Sequence, residues 1–173
     1  MTIFTVHNKI KPMLVRSRAV VLRTVKYNDV SVIVEAYTAA EGRVGFIVRI
    51  PKTRRAAVKN VLFAPLALLE IEWNGRPAAN LQRVKSVRPY AVFSSIPFEP
   101  PKTCIAFFLA EFLCNALRAP VSDEGMFGFI ETSVRWLDAT ADSCANFHIT
   151  FLLHLSHYLG FRPNFEGCSE NSY

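Results

Sequence analysis

The stretch Ala19-Val-Val-Leu-Arg-Thr-Val-Lys-Tyr-Asn-Asp-Val-Ser-Val-Ile-Val-Glu-Ala-Tyr-Thr-Ala-Ala-Glu-Gly-Arg43 decides the fold. It holds two β-branched runs parted by Tyr27-Asn28-Asp29, where Asn and Asp tolerate turn conformations, and it closes on a second break at Glu41-Gly42. In the second run Val30, Val32 and Val34 face one way and Ser31, Ile33 and Glu35 the other, which is the two-residue period of a strand. Working outward, the same signals predict strands over Leu14–Thr24, Val30–Thr38, Arg43–Ile50, Leu66–Trp73 and Leu81–Arg88, with a further turn at Asn74-Gly75-Arg76-Pro77. Five short strands point to a small barrel. The longer connection between the third and fourth, Pro51–Phe63, suits an OB-type barrel, which binds oligonucleotides on one face; an SH3-like barrel is the nearest competitor.

The period then changes. Pro100-Pro101 stands where proline is tolerated in a first helical turn, and Lys102–Arg118 places Ile105, Phe108, Leu109, Phe112 and Ala116 at helical spacing. Its other faces are apolar too, so this helix needs cover on several sides. A second helix is expected over Asp123–Asp138, with Ser122 as N-cap and Phe127, Ile130, Val134 and Leu137 as its buried stripe. A third runs Ala145–Leu159 and stops at Gly160, with Pro163 beyond. The expected fold class is therefore α+β and multi-domain: an extension at 1–12, a five-stranded OB-type barrel at 13–90, and an all-α helical bundle at 91–173.

With 51% hydrophobic and 20% charged residues the chain is not of the disordered class. No apolar run approaches the ~20 residues that cross a bilayer, and residues 2–6 are too short for a secretory core, so a soluble, cytoplasmic protein without membrane partners is expected. Cysteines 104, 114, 144 and 168 fit no CxxC pair and read as reduced thiols, most of them core fillers. His154 and His157, three apart, lack further ligands at structural-zinc spacing, so no metal or other cofactor is expected. Nucleophile elbows, Gly-rich phosphate loops and paired catalytic carboxylates are missing, and the reading is of a protein that is not an enzyme.

Charge is the informative quantity. Residues 1–90 carry 16 Lys or Arg against 5 Asp or Glu, and residues 91–173 carry 4 against 9, so the halves stand at +11 and −5. The first half attracts polyanions. The connection after the third strand concentrates this charge in Lys52, Arg54, Arg55 and Lys59. Arginine offers phosphate a planar fork of donors and lysine a mobile point charge, so these four are the primary candidate nucleic-acid contacts, with Arg43, Arg49 and Lys26 as secondary ones. Stacking platforms are few, because most of Phe4, Tyr27, Tyr37, Phe46, Phe63, Trp73 and Tyr90 are expected to face the core. Two other readings stand beside DNA binding: an RNA-binding barrel, and a protein-interaction adaptor using the Phe-rich second half.

The opening stretch also resembles the start of the RecO family of bacterial recombination mediators. A first strand with Val-Leu-Arg leads to Tyr27, Asp29 and Ser31, then to a second strand ending in Thr38 and the Glu41-Gly42-Arg43 turn. The likeness continues through the basic connection, Phe63-Ala-Pro-Leu66 and an all-helical part to Leu159-Gly-Phe-Arg-Pro163. The resemblance implies a protein that binds single- and double-stranded DNA, anneals single strands, and helps load recombinase in DNA repair. It implies RecR, RecF and the C-terminal tail of single-strand-binding protein as partners, the tail docking on the helical domain. Three departures are visible: Asn171 stands where a zinc-binding cysteine would follow Cys168, the family runs on past Tyr173 so that the helical domain is expected to be incomplete, and family members begin near Met13.

Overall fold

The computed structural model describes residues 13–50, 62–76 and 79–161. Five strands come first: β1 Met13–Asn28, β2 Ser31–Thr38, β3 Gly42–Arg49, β4 Leu68–Gly75 and β5 Gln82–Pro89. They close into a barrel in the order β1-β2-β3-β5-β4, antiparallel except for the β3–β5 seam, which is the strand order of an OB-type barrel. Three helices follow, α1 Pro100–Ala116, α2 Glu124–Ala139 and α3 Phe147–Tyr158.

β1 is longer than its hydrophobic pattern suggests because it serves two neighbours. Met13–Val20 pair with β4 and Ala19–Asn28 with β2, so pairing extends the strand through the polar residues after Leu22. The hairpin to β2 is closed by Asn28, whose Oδ1 accepts from the Val30 amide at 3.0 Å. Alternation then sorts the side chains. Ala19, Val21, Val34, Ala36, Phe46, Ile71 and Trp73 fill the barrel, with Phe46 and Trp73 meeting edge to face at 5.2 Å.

The opposite side of part of the barrel is apolar as well. Val20, Leu22, Tyr37, Leu66 and Leu68 point outward into a second core built with Leu109, Leu113, Phe127, Ile130 and Leu137 of the helices. Leu66 adopts φ 61°, costly for a side chain with a Cβ, and is held there by complete burial and by its amide donating to Val21 O at 2.8 Å.

Helix ends differ in detail from expectation. α2 is capped by Asp123 instead of Ser122, the Asp123 carboxylate accepting from the Met126 amide at 2.9 Å. Its expected stripe, Phe127, Ile130, Val134 and Leu137, is buried throughout. α1 turns otherwise: Ala106, Leu109, Ala110 and Leu113 are buried, while Phe107 and Phe108 are exposed, because small residues let the helix lie close against β1. Lys102 is buried, its ammonium donating to Ser95 Oγ at 2.8 Å and Thr140 O at 2.7 Å, so it ties the ends of α1 and α2 and adds no surface charge. α3 stops at a Schellman turn: Gly160 at φ +82° donates to His157 O, and Phe161 donates to Ser156 O.

Candidate nucleic-acid interface

The arginines on the barrel strands fall into two sets, and what divides them is whether the guanidinium forms a close ion pair with a carboxylate. On the outer side of β1, β4 and β5, Arg16 and Arg88 flank Glu70, and their guanidinium hydrogen bonds hold its carboxyl down at about 2. Arg16 also lies 3.8 Å from Glu72. Arg18 reaches across to α2, 2.8 Å from Glu131, with its guanidinium over the Phe127 ring. Each of these three arginines has a carboxylate partner, with Glu70 shared between Arg16 and Arg88 and Glu131 shared between Arg18 and Arg135.

Arg43 belongs with them. Its Nη1 donates to the Cys114 carbonyl at 2.6 Å and its Nη2 to Glu35 at 2.7 Å, while the Cys114 thiol donates to the same carboxylate at 3.1 Å. Burial alone pushes the Glu35 carboxyl up; the Cys114 thiol and the Arg43 guanidinium outweigh it and hold the group below its ordinary range. Arg43, expected from sequence as a secondary phosphate contact, is thus engaged within the molecule. Its donors face a carboxylate and the end of α1, and its role is to join barrel to helices.

The second set lies on the outer face of β1, β2, β3 and β5. Register fixes this face. Arg23 stands opposite Glu35, Ile33 opposite Ile47, Ser31 opposite Arg49, and Ile47 opposite Arg83. Since side chains alternate along a strand, Arg23, Arg49 and Arg83 share one surface, with the half-buried Ile33 and Ile47 between them. Arg23, Arg49 and Arg83 are exposed and make no ion pair or side-chain hydrogen bond among the described residues. Nearby Glu35 is already engaged. Gly45 lies on the same face, where the Leu81 side chain covers it.

Of the seven residues expected from sequence, Lys52, Arg54, Arg55 and Lys59 lie outside the described residues. Lys26 sits at the β1–β2 hairpin, highly exposed and 3.5 Å from Asp29. Arg49 is on the shared face. Arg23 and Arg83 are isolated arginines within strands and carry none of the charge density that marks the basic connection in the sequence. The alternation that placed Glu35 and Ile33 together was the available signal for Arg23. Among the aromatic side chains, Tyr37, Phe46, Phe63 and Trp73 are buried, as the periodicity implied, and Tyr27 is 60% exposed beside Lys26. Phe4 lies outside the described residues.

The helical part offers packing chemistry. His154 stacks on Phe129 and His148 meets Phe108 edge to face. Among the described residues no three His, Cys, Asp or Glu side chains gather as metal ligands, and no helix is long and apolar enough to cross a membrane.

Comparison with known proteins divides the chain along the same line as the fold. Residues 13–93 match the family model described as recombination protein O N terminal, and residues 98–172 match recombination protein O C terminal. A DNA repair protein RecO from Bacteroides fragilis is 44% identical over 161 residues, covering 93% of this chain and 66% of the relative. The RecO of Phocaeicola vulgatus is also 44% identical, covering 93% and 67%, and that of Christiangramia forsetii is 36% identical over 152 residues, covering 87% and 63%. The chain thus spans about two thirds of the length of the curated relatives it matches.

Proposed function

The chain belongs to the RecO family of DNA repair proteins, and from that premise we propose that it is a recombination mediator whose barrel, residues 13–90, grips single-stranded DNA by its phosphates. The observation that carries this reading is the surface shared by Arg23, Arg49 and Arg83, cationic and with no close ion pair among the described residues, Glu35 opposite Arg23 being bonded to Arg43 and only electrostatically coupled to Arg23. Such a face neutralises backbone charge without reading base sequence. The basic connection with Lys52, Arg54, Arg55 and Lys59 follows directly on β3, the strand that carries Arg49, and extends the same grip. Lys26 and the exposed Tyr27 add a charge and a stacking surface at the hairpin.

Mechanism follows from charge. Two complementary strands repel one another through their phosphates; a protein surface that neutralises both lets them approach and pair, without ATP or a covalent step. The same neutralisation operates on duplex DNA after annealing. The helical part that follows the barrel receives the single-strand-binding protein tail, and RecR and RecF complete the loading of recombinase in the cytoplasm.

The test is a salt titration of oligo-dT binding by fluorescence anisotropy. About five phosphate contacts give roughly a 100-fold loss of affinity between 50 and 200 mM salt. The double variants Arg23→Glu/Arg49→Glu and Arg54→Glu/Arg55→Glu should each nearly abolish binding while their melting temperatures stay within a few degrees. A flat salt profile, or charge-reversed protein that binds as before, overturns the proposal.

A further inference from the structure

A closed barrel needs continuous pairing around its circumference, and here one seam is short. β3 and β5 pair only through Phe46 with Gln82 and Ile47 with Arg83. Past that point the strands part, and a cleft of about 330 Å³ opens between Val48 and Arg49 of β3, Leu62 and Phe63, and Val84 to Val87 of β5. β5 is bulged there. Val84 lies opposite Trp73 and Ser86 opposite Glu72, so two steps on β5 face one on β4 and Lys85 is the additional residue. Bulges re-aim side chains and collect beside binding sites.

The lining has two chemistries. Val48, Leu62, Phe63, Val84 and Val87 make an apolar floor, and Arg49 and Lys85 are cations at its edge. Ser86 Oγ is engaged, donating to Glu72 at 2.9 Å. No carboxylate is among the described lining residues. A cleft with apolar side chains in its floor and two cations at its edge is complementary to one nucleotide, its base inside and its phosphates on Arg49 and Lys85. Arg49 also belongs to the outer face with Arg23 and Arg83, so a strand lying on that face passes the mouth of the cleft.

We infer that the cleft between β3 and β5 seats a single nucleobase of the bound strand, while its neighbours stay outside. This rests on the phosphate-grip reading and adds a base-dependent contact to it. The contact is apolar burial of a base without a particular hydrogen-bonding edge, so it favours no sequence and favours unpaired over paired DNA, since a duplex keeps its bases stacked inside.

The experiment compares three strands of equal length at low salt: oligo-dT, a fully abasic sugar-phosphate strand, and an abasic strand with one central 2-aminopurine. The abasic strand should bind about tenfold more weakly than oligo-dT. The single 2-aminopurine should restore most of that loss, and its emission should become shielded from acrylamide on binding. Val84→Trp, which fills the slot, and Ser86→Trp, which blocks it from an exposed position, should each remove the preference for a base and leave abasic affinity unchanged. Equal binding of all three strands overturns the base slot and leaves the phosphate grip standing. A single 2-aminopurine that restores little of the difference between the abasic strand and oligo-dT overturns it too, since many bases would then contact the protein. Failure of all three to bind would overturn the grip itself, and the slot with it.

Discussion

Gly42 shows how tightly a single position can be specified. It holds φ +67° in the turn before β3, and a Cβ built there would lie 2.4 Å from the Val121 carbonyl oxygen. Backbone, not a movable side chain, blocks the space, so Gly42→Ala should lose about 2–3 kcal/mol in urea denaturation, from the strained φ and from pushing the 117–123 segment away. Wild-type stability in that variant would show that the turn is not pressed against the helices. The next residue carries the lesson about legibility. A sequence shows that Arg43 is positive but not that Glu35, Cys114 and Leu117 wait around it, because two of those three are more than 70 residues away. Arg49, at the same alternation on the same strand, meets no such partners among the described residues and stays on the open face.

At the scale of elements, charge ladders across strands behave differently from charge on a loop. The Arg16–Glu70–Arg88 ladder depresses the Glu70 carboxyl to about 2 in the folded state. A depressed carboxyl stabilises the fold fully above the ordinary carboxylate range, and that contribution disappears as pH falls toward 2. Thermal midpoints measured between about pH 5 and pH 2 should therefore fall more for the wild type than for Glu70→Gln, by a small margin because the ladder is exposed. Identical slopes would mean that the ladder contributes nothing. Period and turn residues exposed all five strands and all three helices to a reading of the sequence, because each buries a face at its own spacing. The rotation of α1 was not legible. Its phenylalanines are the bulkier residues, yet close approach to β1 selects Ala106 and Ala110 for the contact, a choice only the partner surface can make. Likewise Ser122 and Asp123 are both good caps, and the chain's path decides between them.

Across the molecule, the second core is built from barrel and helices alike, so the two should unfold together. Phe127 of α2 is wholly buried, stacks on Tyr37 of β2 and lies beneath Arg18 of β1. Phe127→Ala should cost about 3–5 kcal/mol and shift two probes in step: far-UV ellipticity for the helices, and emission of Trp73 for the barrel in a Trp136→Phe background. Separate transitions would refute a shared core. The charge imbalance between halves was plain in the sequence, but its division into paired and open sets was not, since pairs such as Arg18 with Glu131 span 113 positions. The long first strand has one more consequence. Met13 must find Gly75, and Val20 must find Leu68, before β1 has both neighbours. On a ribosome, the emerging chain can zip its first hairpins early yet cannot shut the cylinder until β4 and β5 have left the exit tunnel. Synthesis itself thus postpones the moment at which the molecule presents a finished surface to any nucleic acid.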